Sequence, residues 1–370
     1  MLECKRCIMN SDADKNLSLN ENSECNHCQR YDSLVESRIF SDQGKSLSKL
    51  VEKIKKAGRK KEFDCIVGVS GGVDSTYVAY LTKELGLRPL AVHFDNGWNS
   101  ELAIKNIEKV LKKLNIELYT YVVDWEEFRD LQLSFLRAAV PDGEIPTDHA
   151  ISALLWKTAT KFKIKYILSG LNFATEAVSV PEWSYGHSDW KYIKNIHKKF
   201  GTIKLKTYPH FNFFDLLYIN FVRSVRSVSI LNYVDYNKQK AMNLLMEELD
   251  WTKYEGKHYE SFYTKFYQGY VLPTQFNIDK RYGHLSDLIN SKQLSKDQAK
   301  DEIKKPSYNY DSLSADKEYV AKKFNISKEE LDEILNQKTF SFRDYPNSYG
   351  LVQLARDSVN FLRKYNLYPK

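Results

Sequence analysis

Long apolar runs, dense basic runs and spare thiols are all missing from this 370-residue chain, and each absence removes a class of function. The N-terminus, MLECKRC, has no apolar signal region. The most apolar later stretch, Phe211 to Leu231, is interrupted by Asp215, Arg223 and Arg226. No membrane span is expected, and the cytoplasm is the expected compartment. The formal charge of +7 is carried by lysines spread along the whole chain, so nucleic acid is only one of the anions it suits. There is no internal repeat and no low-complexity tract. With 42% hydrophobic residues, the chain can build two domains, or one large domain with appendages.

Cysteines number five, and four of them are clustered. Cys4, Cys7, Cys25 and Cys28 follow C-x2-C-x17-C-x2-C, a spacing suited to two knuckles around one tetrahedral zinc ion. Disulfides are the rival reading, but a chain without an export signal sits among reducing thiols. A closed shell of four thiolates leaves no open coordination position, so the expected role is structural. Cys65 falls inside a predicted strand and reads as a core thiol.

The stretch VGVSGGVDSTYVAYL begins at Val67. Before it, Phe63 to Val69 is apolar and β-branched, as a buried strand is. After it, Val78, Leu81 and Leu85 share one helical face that ends at Gly86. Strand, glycine turn and helix in that order turn backbone N–H groups and a helix dipole toward an anion. Two familiar phosphate signatures are absent: no lysine follows the turn as in G-x-x-x-x-G-K-S/T, and there is no G-x-G-x-x-G. The plainer alternative is an ordinary turn capped by Ser70 or Asp74.

Strand and helix then alternate. RPLAVHFDN, ELYTYVV and KYILSG are the second to fourth strands, with helices between them through Ile104–Leu114, WEEFRDLQLSFLRAA and DHAISALLWKTATKF. This order predicts an α/β doubly wound parallel sheet whose ligand lies beyond the carboxyl ends of the strands. Residues 1–45 form the ribbon and connector, 46–204 the nucleotide-binding domain, and 205–370 a mainly helical, aromatic region. Ser295 to Gln298 and Ser327 to Glu330 are capping boxes at late helix starts.

Several stretches fall where strand ends converge. VHFDNGW offers Asp95 and Asn96, which otherwise are plain turn residues. In LSGLNFATEA, Gly170 would admit a nucleotide close to the backbone. Asn172, Thr175 and Glu176 there either face phosphate or magnesium or form a turn in which Thr175 caps a helix. PDGEIPTDHAIS places Thr147, Asp148 and His149 either at an N-cap or in a substrate-facing loop where Asp148 and His149 move a proton. Later, in SFYTKFYQGYVLPTQFNIDKRYGHLSDLI, Lys280 and Arg281 beside His284 and Ser286 can clamp a leaving phosphate. A solvated basic turn is the alternative.

SGGVDS resembles the pyrophosphate loop of the PP-loop ATP pyrophosphatases, which cleave ATP to AMP and pyrophosphate. That resemblance implies that Ser70, Gly71, Gly72 and Ser75 wrap the pyrophosphate, that Asp74 lies near magnesium, and that Asp95 and Asn96 support the adenosine. The ribbon, SGGVDS, IPTDHAI and DKRYGHLSDLI together resemble the N-acetyl sugar amidotransferases. These are PP-loop enzymes of lipopolysaccharide O-antigen and of pseudaminic or legionaminic acid synthesis. The resemblance covers most of the chain and weakens after about residue 305. It implies the adenine nucleotide alpha hydrolase-like sheet, with ATP, Mg2+ and a structural Zn2+. It also implies conversion of an N-acetyl group on a nucleotide-linked sugar or nonulosonic acid to an acetamidino group.

Ammonia for such a reaction commonly comes from glutamine through an activated cysteine. None is credible here, so the resemblance implies a separate glutaminase with a cyclase-like subunit, docking on the region after residue 205. The rival class is tRNA modification. Thiolation needs cysteines near the nucleotide, which this chain lacks; amidation of tRNA, or nucleotide binding without catalysis, stays open.

Overall fold

The structure, a computed structural model, describes residues 1–36, 44–254, 256, 259–350 and 353. The connector boundary at residue 45 thus adjoins residues 37–43, and the end of the 205–370 region runs past residue 353; both parts lie outside the described residues.

Five strands form one parallel sheet: β1 (Cys65–Gly68), β2 (Pro89–Asp95), β3 (Glu117–Val122), β4 (Tyr166–Ser169) and β5 (Arg226–Ser229), in the order β3-β2-β1-β4-β5. The first four match the strands expected from sequence. β5 lies in the stretch read as largely helical, beyond the boundary placed at residue 204.

Side chains alternate across the sheet and divide its core in two. Ile66, Leu90, Val92, Phe94 and Ile167 face one cluster. Cys65, Val67, Ala91, Tyr166 and Leu168 face the other. Both faces are covered by helices, as a buried parallel sheet requires.

The helices run in chain order: α1 (Asn26–Glu36), α2 (Lys45–Gly58), α3 (Val73–Glu84), α4 (Glu101–Leu114), α5 (Trp125–Ala138), α6 (Ile145–Lys161), α7 (Phe173–Glu176) and α8 (Trp190–Phe200). Then come α9 (Phe213–Leu217), α10 (Lys238–Leu249), α11 (Phe262–Phe266), α12 (Leu272–Phe276), α13 (Arg281–Asn290), α14 (Lys296–Lys304), α15 (Leu313–Phe324) and α16 (Lys328–Asn336). Ser295 makes the full capping box expected of it, while at α16 the Ser327 side chain accepts from the Glu330 N–H.

The N-terminal ribbon is packed against the rest of the protein. Its cysteines and Met9 share a cluster with Val180 and Trp183, against which Ile278, Tyr282 and Ile289 also lie. Trp183 Nε1 donates to Ala13 O at 3.1 Å, and Lys296 Nζ donates to Cys4 O at 2.7 Å. A buried His27–Asp14 contact of 2.7 Å braces the ribbon from within.

Candidate active site

The turn between β1 and α3 sits at the carboxyl edge of the sheet, between β1 and β4, where the strand order reverses. Ser70 Oγ lies 3.1 Å from Ser75 Oγ and accepts from Gly72 N–H at 3.3 Å; Ser75 Oγ also accepts from Ser70 N–H at 3.2 Å. The two hydroxyls thus hold the loop in a ring. The N–H groups of Val73, Asp74 and Ser75 open α3 and have no intrahelical acceptor. With the helix dipole they form an anion cradle that needs no lysine.

Gly71 adopts φ +82°, and a Cβ there would lie 2.8 Å from Ala103 O. Its carbonyl accepts from Trp251 Nε1 at 2.9 Å and Tyr254 Oη at 3.0 Å. Gly71→Ala is therefore expected to lower stability by about 2 kcal/mol or more through left-handed strain plus the clash. Thermal unfolding checks this, and an unchanged melting temperature contradicts it.

Asp74 Oδ1 accepts the hydroxyl of buried Tyr236. Burial, and then the Asp74 charge, push that hydroxyl well above its ordinary pKa, with Glu176 adding to the same effect. Gly170 closes the other side: a Cβ on it would stand 3.1 Å from the Asp74 carbonyl carbon and 3.2 Å from Ser75 N. Ser70, Gly71, Gly72, Asp74, Ser75 and Gly170 are thus assembled in one place, with Glu176 nearby.

The remaining expected nucleotide contacts are spent locally. Asn172, not Thr175, caps α7: its Oδ1 accepts Thr175 N–H at 3.0 Å and its Nδ2 donates to Gly170 O at 3.1 Å. Asp95 Oδ1 accepts Gly97 N–H at 2.9 Å and Asn99 Nδ2 at 3.1 Å. Buried Asn96 accepts Trp98 N–H at 3.2 Å, and its Nδ2 donates to Thr147 Oγ1 at 3.3 Å. That last bond ties the end of β2 to the start of α6.

A second polar group gathers at that start. His187 Nε2 lies 3.2 Å from Asp148 Oδ2 and 3.4 Å from Asp142 Oδ2, while Ser184 Oγ donates to Asp142. Burial alone would lower the His187 pKa, but the two carboxylates reverse this and bring it to about 10. Burial would raise Asp142, yet Lys280 and His187 hold it well below the usual carboxylate range. Glu144 goes the other way: burial raises it, Lys280 opposes, and Asp148 and Asp142 add to the rise. Gln268 Nε2 donates to Glu144 Oε2 at 2.6 Å.

The expectation that His149 moves a proton is corrected by its surroundings. It is fully buried, with Nδ1 donating to His187 O at 2.8 Å and Nε2 accepting Phe211 N–H at 3.3 Å. Phe211 stacks on the ring at 4.2 Å, and burial drops the pKa to about 4. This is a neutral imidazole with no open nitrogen. Lys280 and Arg281 likewise do not form one clamp. Lys280 faces Asp142 and Glu144 electrostatically. Arg281 is bound to Asp279 at 2.7 Å and to Lys305 O, past the end of α14, at 2.8 Å.

The two groups share a wall. Glu260 lies against Gly72, where a Cβ would meet Glu260 Oε1 at 3.0 Å, and three residues on Tyr263 Oη donates to Gly143 O at 3.5 Å. Sequence reasoning passed over Tyr236, Glu260, Asp142, Glu144, Ser184 and His187. Only Asp142 and Glu144 stood in a stretch already singled out, PDGEIPTDHAIS.

The four ribbon sulfurs lie within 4.8 Å of one another, with Cys4–Cys28 at 3.8 Å and Cys7–Cys25 and Cys25–Cys28 at 3.7 Å. A tetrahedron with metal–sulfur bonds of about 2.3 Å has edges of about 3.8 Å, so the buried thiols can hold one metal ion. Cys65 is buried in β1, and burial pushes its thiol up.

Two parts of the chain match known protein families. Residues 45–131 match the NAD synthase family, and residues 260–357 match the family described as LPS biosynthesis protein WbpG-like, C-terminal domain. Over 70 residues the chain is 36% identical to the tRNA(Ile)-lysidine synthase of Chlamydia pneumoniae, a match covering 18% of this chain and 22% of that protein's length. Among solved structures, NMN synthetase from Francisella tularensis is 16% identical, with 60% of this chain and 92% of that chain covered and a TM-score of 0.29. The U34-tRNA thiolase NcsA from Methanococcus maripaludis, with its 4Fe-4S cluster, is 14% identical, with 82% and 88% covered and a TM-score of 0.32. The phosphate turn and the NAD synthase match define a PP-loop protein of ATP-utilising type. With the WbpG-like C-terminal part, the two matches support the N-acetyl sugar amidotransferase family within that superfamily.

Proposed function

We propose that the protein is an ATP-dependent amidotransferase that converts an N-acetyl group of a nucleotide-linked sugar or nonulosonic acid to an acetamidino group. The observation that carries this reading is the lysine-free cradle of Ser70–Ser75, linked through Glu260 to a WbpG-like part that begins at that residue. An acetamide is a poor electrophile, because its nitrogen donates into the carbonyl. Its oxygen attacks the α-phosphorus of ATP, the bond to the β-phosphate oxygen breaks, and pyrophosphate leaves. Ammonia then adds to the imidate carbon, the C–O bond breaks to release AMP, and a proton is lost. The α3 N–H groups meet the charge that grows on pyrophosphate. Asp74, with Glu176 close by, would hold Mg2+, which supplies further charge neutralisation. Glu144, whose pKa is raised, is suited to accept the proton.

For the ribbon, the sulfur spacing supports one ion, since a 4Fe-4S cube spreads its cysteine sulfurs more widely, and the closed thiol set supports structural Zn2+. The match to a lysidine synthase favours tRNA as the second substrate to test. AMP release measured against a panel of N-acetylated nucleotide sugars and against tRNA decides between them; ADP as product overturns both.

Ammonia is proposed to come from a separate glutaminase partner with a cyclase-like subunit. Supporting this, the described cysteines are either in the ribbon or buried in β1. An outward apolar stripe of Phe213, Phe214, Leu217, Tyr218, Phe221 and Val222 also supports it, with Phe214 76% and Phe221 75% exposed. The purified chain is expected to turn over with high ammonium salt and not with glutamine. Equal efficiency with glutamine contradicts the need for a partner.

A further inference from the structure

We propose that Asn290 donates a hydrogen bond to the metal-bound sulfur of Cys28 through a half-turn of its side-chain amide. The inference rests on the reading of the four cysteines as a metal shell. Asn290 ends α13 and is 4% exposed, and its Oδ1 lies 3.3 Å from Cys28 Sγ. Its Nδ2 is buried and, among the described residues, has no hydrogen-bond partner. Leaving such a donor unpaired forfeits the hydrogen bond it made to water in the unfolded chain.

A thiol can donate its S–H to Oδ1, which suits the arrangement seen. A sulfur bound to a metal ion has no S–H and carries negative charge, so Oδ1 would then oppose it acceptor to acceptor. Rotating the amide by half a turn exchanges the two atoms. One movement places N–H on the sulfur and gives the orphaned donor a partner.

Two of the other sulfurs already have such donors. Cys4 Sγ accepts from the N–H groups of Cys7 and Cys25 at 3.5 and 3.2 Å, and Cys7 Sγ accepts from Met9 N–H at 3.5 Å. Among the described residues, Cys28 Sγ has the sulfurs of Cys4 and Cys25 and the Asn290 amide as its hydrogen-bond partners. Asn290 thus supplies from α13 what backbone supplies at Cys4 and Cys7. Because α13 follows directly on Lys280, the same helix joins the metal shell to the Asp142–Glu144 group.

The test is made on the full chain loaded with Zn2+. Asn290→Leu is expected to weaken zinc binding, measured by chelator competition, about 10- to 100-fold, and to speed zinc release by a thiol reagent. Ser286→Ala removes another buried group, one turn earlier on α13, that has no hydrogen-bond partner among the described residues, and is expected to change neither quantity. If Asn290→Leu does not fold, wild-type chain loaded with cadmium and carrying isotope-labelled asparagine gives the answer by NMR. Coupling from the metal to one side-chain amide supports the bond, whereas coupling to backbone amides alone overturns it. Unchanged affinity and release in Asn290→Leu also overturn it. A wild-type chain that takes up neither metal overturns the metal reading itself.

Discussion

Asp74→Asn is expected to cut AMP formation by about 10²- to 10³-fold, while the chain folds normally and still binds ATP. The substitution keeps the acceptor atom that Tyr236 uses, so the bond from β5's following segment to α3 survives. What it removes is one negative charge in the first turn of α3, beside the N–H cradle and near Glu176. If that charge holds Mg2+, its loss weakens the stabilisation of departing pyrophosphate more than it weakens ground-state binding. The signature is then a fall in kcat with little change in KM for ATP. Thermal unfolding alongside steady-state AMP release separates this from misfolding. A variant with wild-type kcat would mean that Asp74 serves only to anchor Tyr236.

β1, β2 and β4 were legible because they are buried and carry apolar runs, and β3, though an exposed edge strand, because Leu118 to Val123 is rich in β-branched and aromatic residues. β5 was not, because an edge strand reading Arg-Ser-Val-Ser has two exposed polar residues and no apolar run. The phosphate turn was legible because it is contiguous, and each of its residues acts within a few positions of the next. The acid group was only half legible. Weight fell on Thr147–His149 as helix-start residues, but α6 begins earlier, at Ile145, with Pro146 in its first turn. That shift brings the helix up to Glu144, which takes the N-cap position with Asp142 two residues before it, and sets His149 inside the helix on a buried face. Which histidine is buried then depends on Trp190 and Phe211, which approach only after folding. No local pattern announces His187, whose partners lie about forty residues upstream.

Lys280→Met is expected to lower kcat about 100-fold with little change in KM for ATP, and to move the acidic limb of the pH–rate profile upward. The direction follows from charge. Lys280 lowers the pKa of both Asp142 and Glu144, although it makes no direct ion pair with either among the described residues. Without it, only the Gln268 hydrogen bond opposes burial and the neighbouring carboxylates at Glu144, so its pKa, already raised, rises further. A base that must be ionised to take a proton is then lost at a higher pH than in the wild type. Methionine keeps most of the side chain's length and apolar contact, so the loss reports charge more than packing. Arg281→Met provides the contrast. Its guanidinium is bound to Asp279 and to the carbonyl of Lys305, so its removal is expected to cost stability, about 1–3 kcal/mol, and to leave kcat of the folded enzyme near wild type. If Lys280→Met instead raises KM for ATP and leaves the pH profile in place, Lys280 meets the nucleotide's phosphates, and proton transfer belongs to another group.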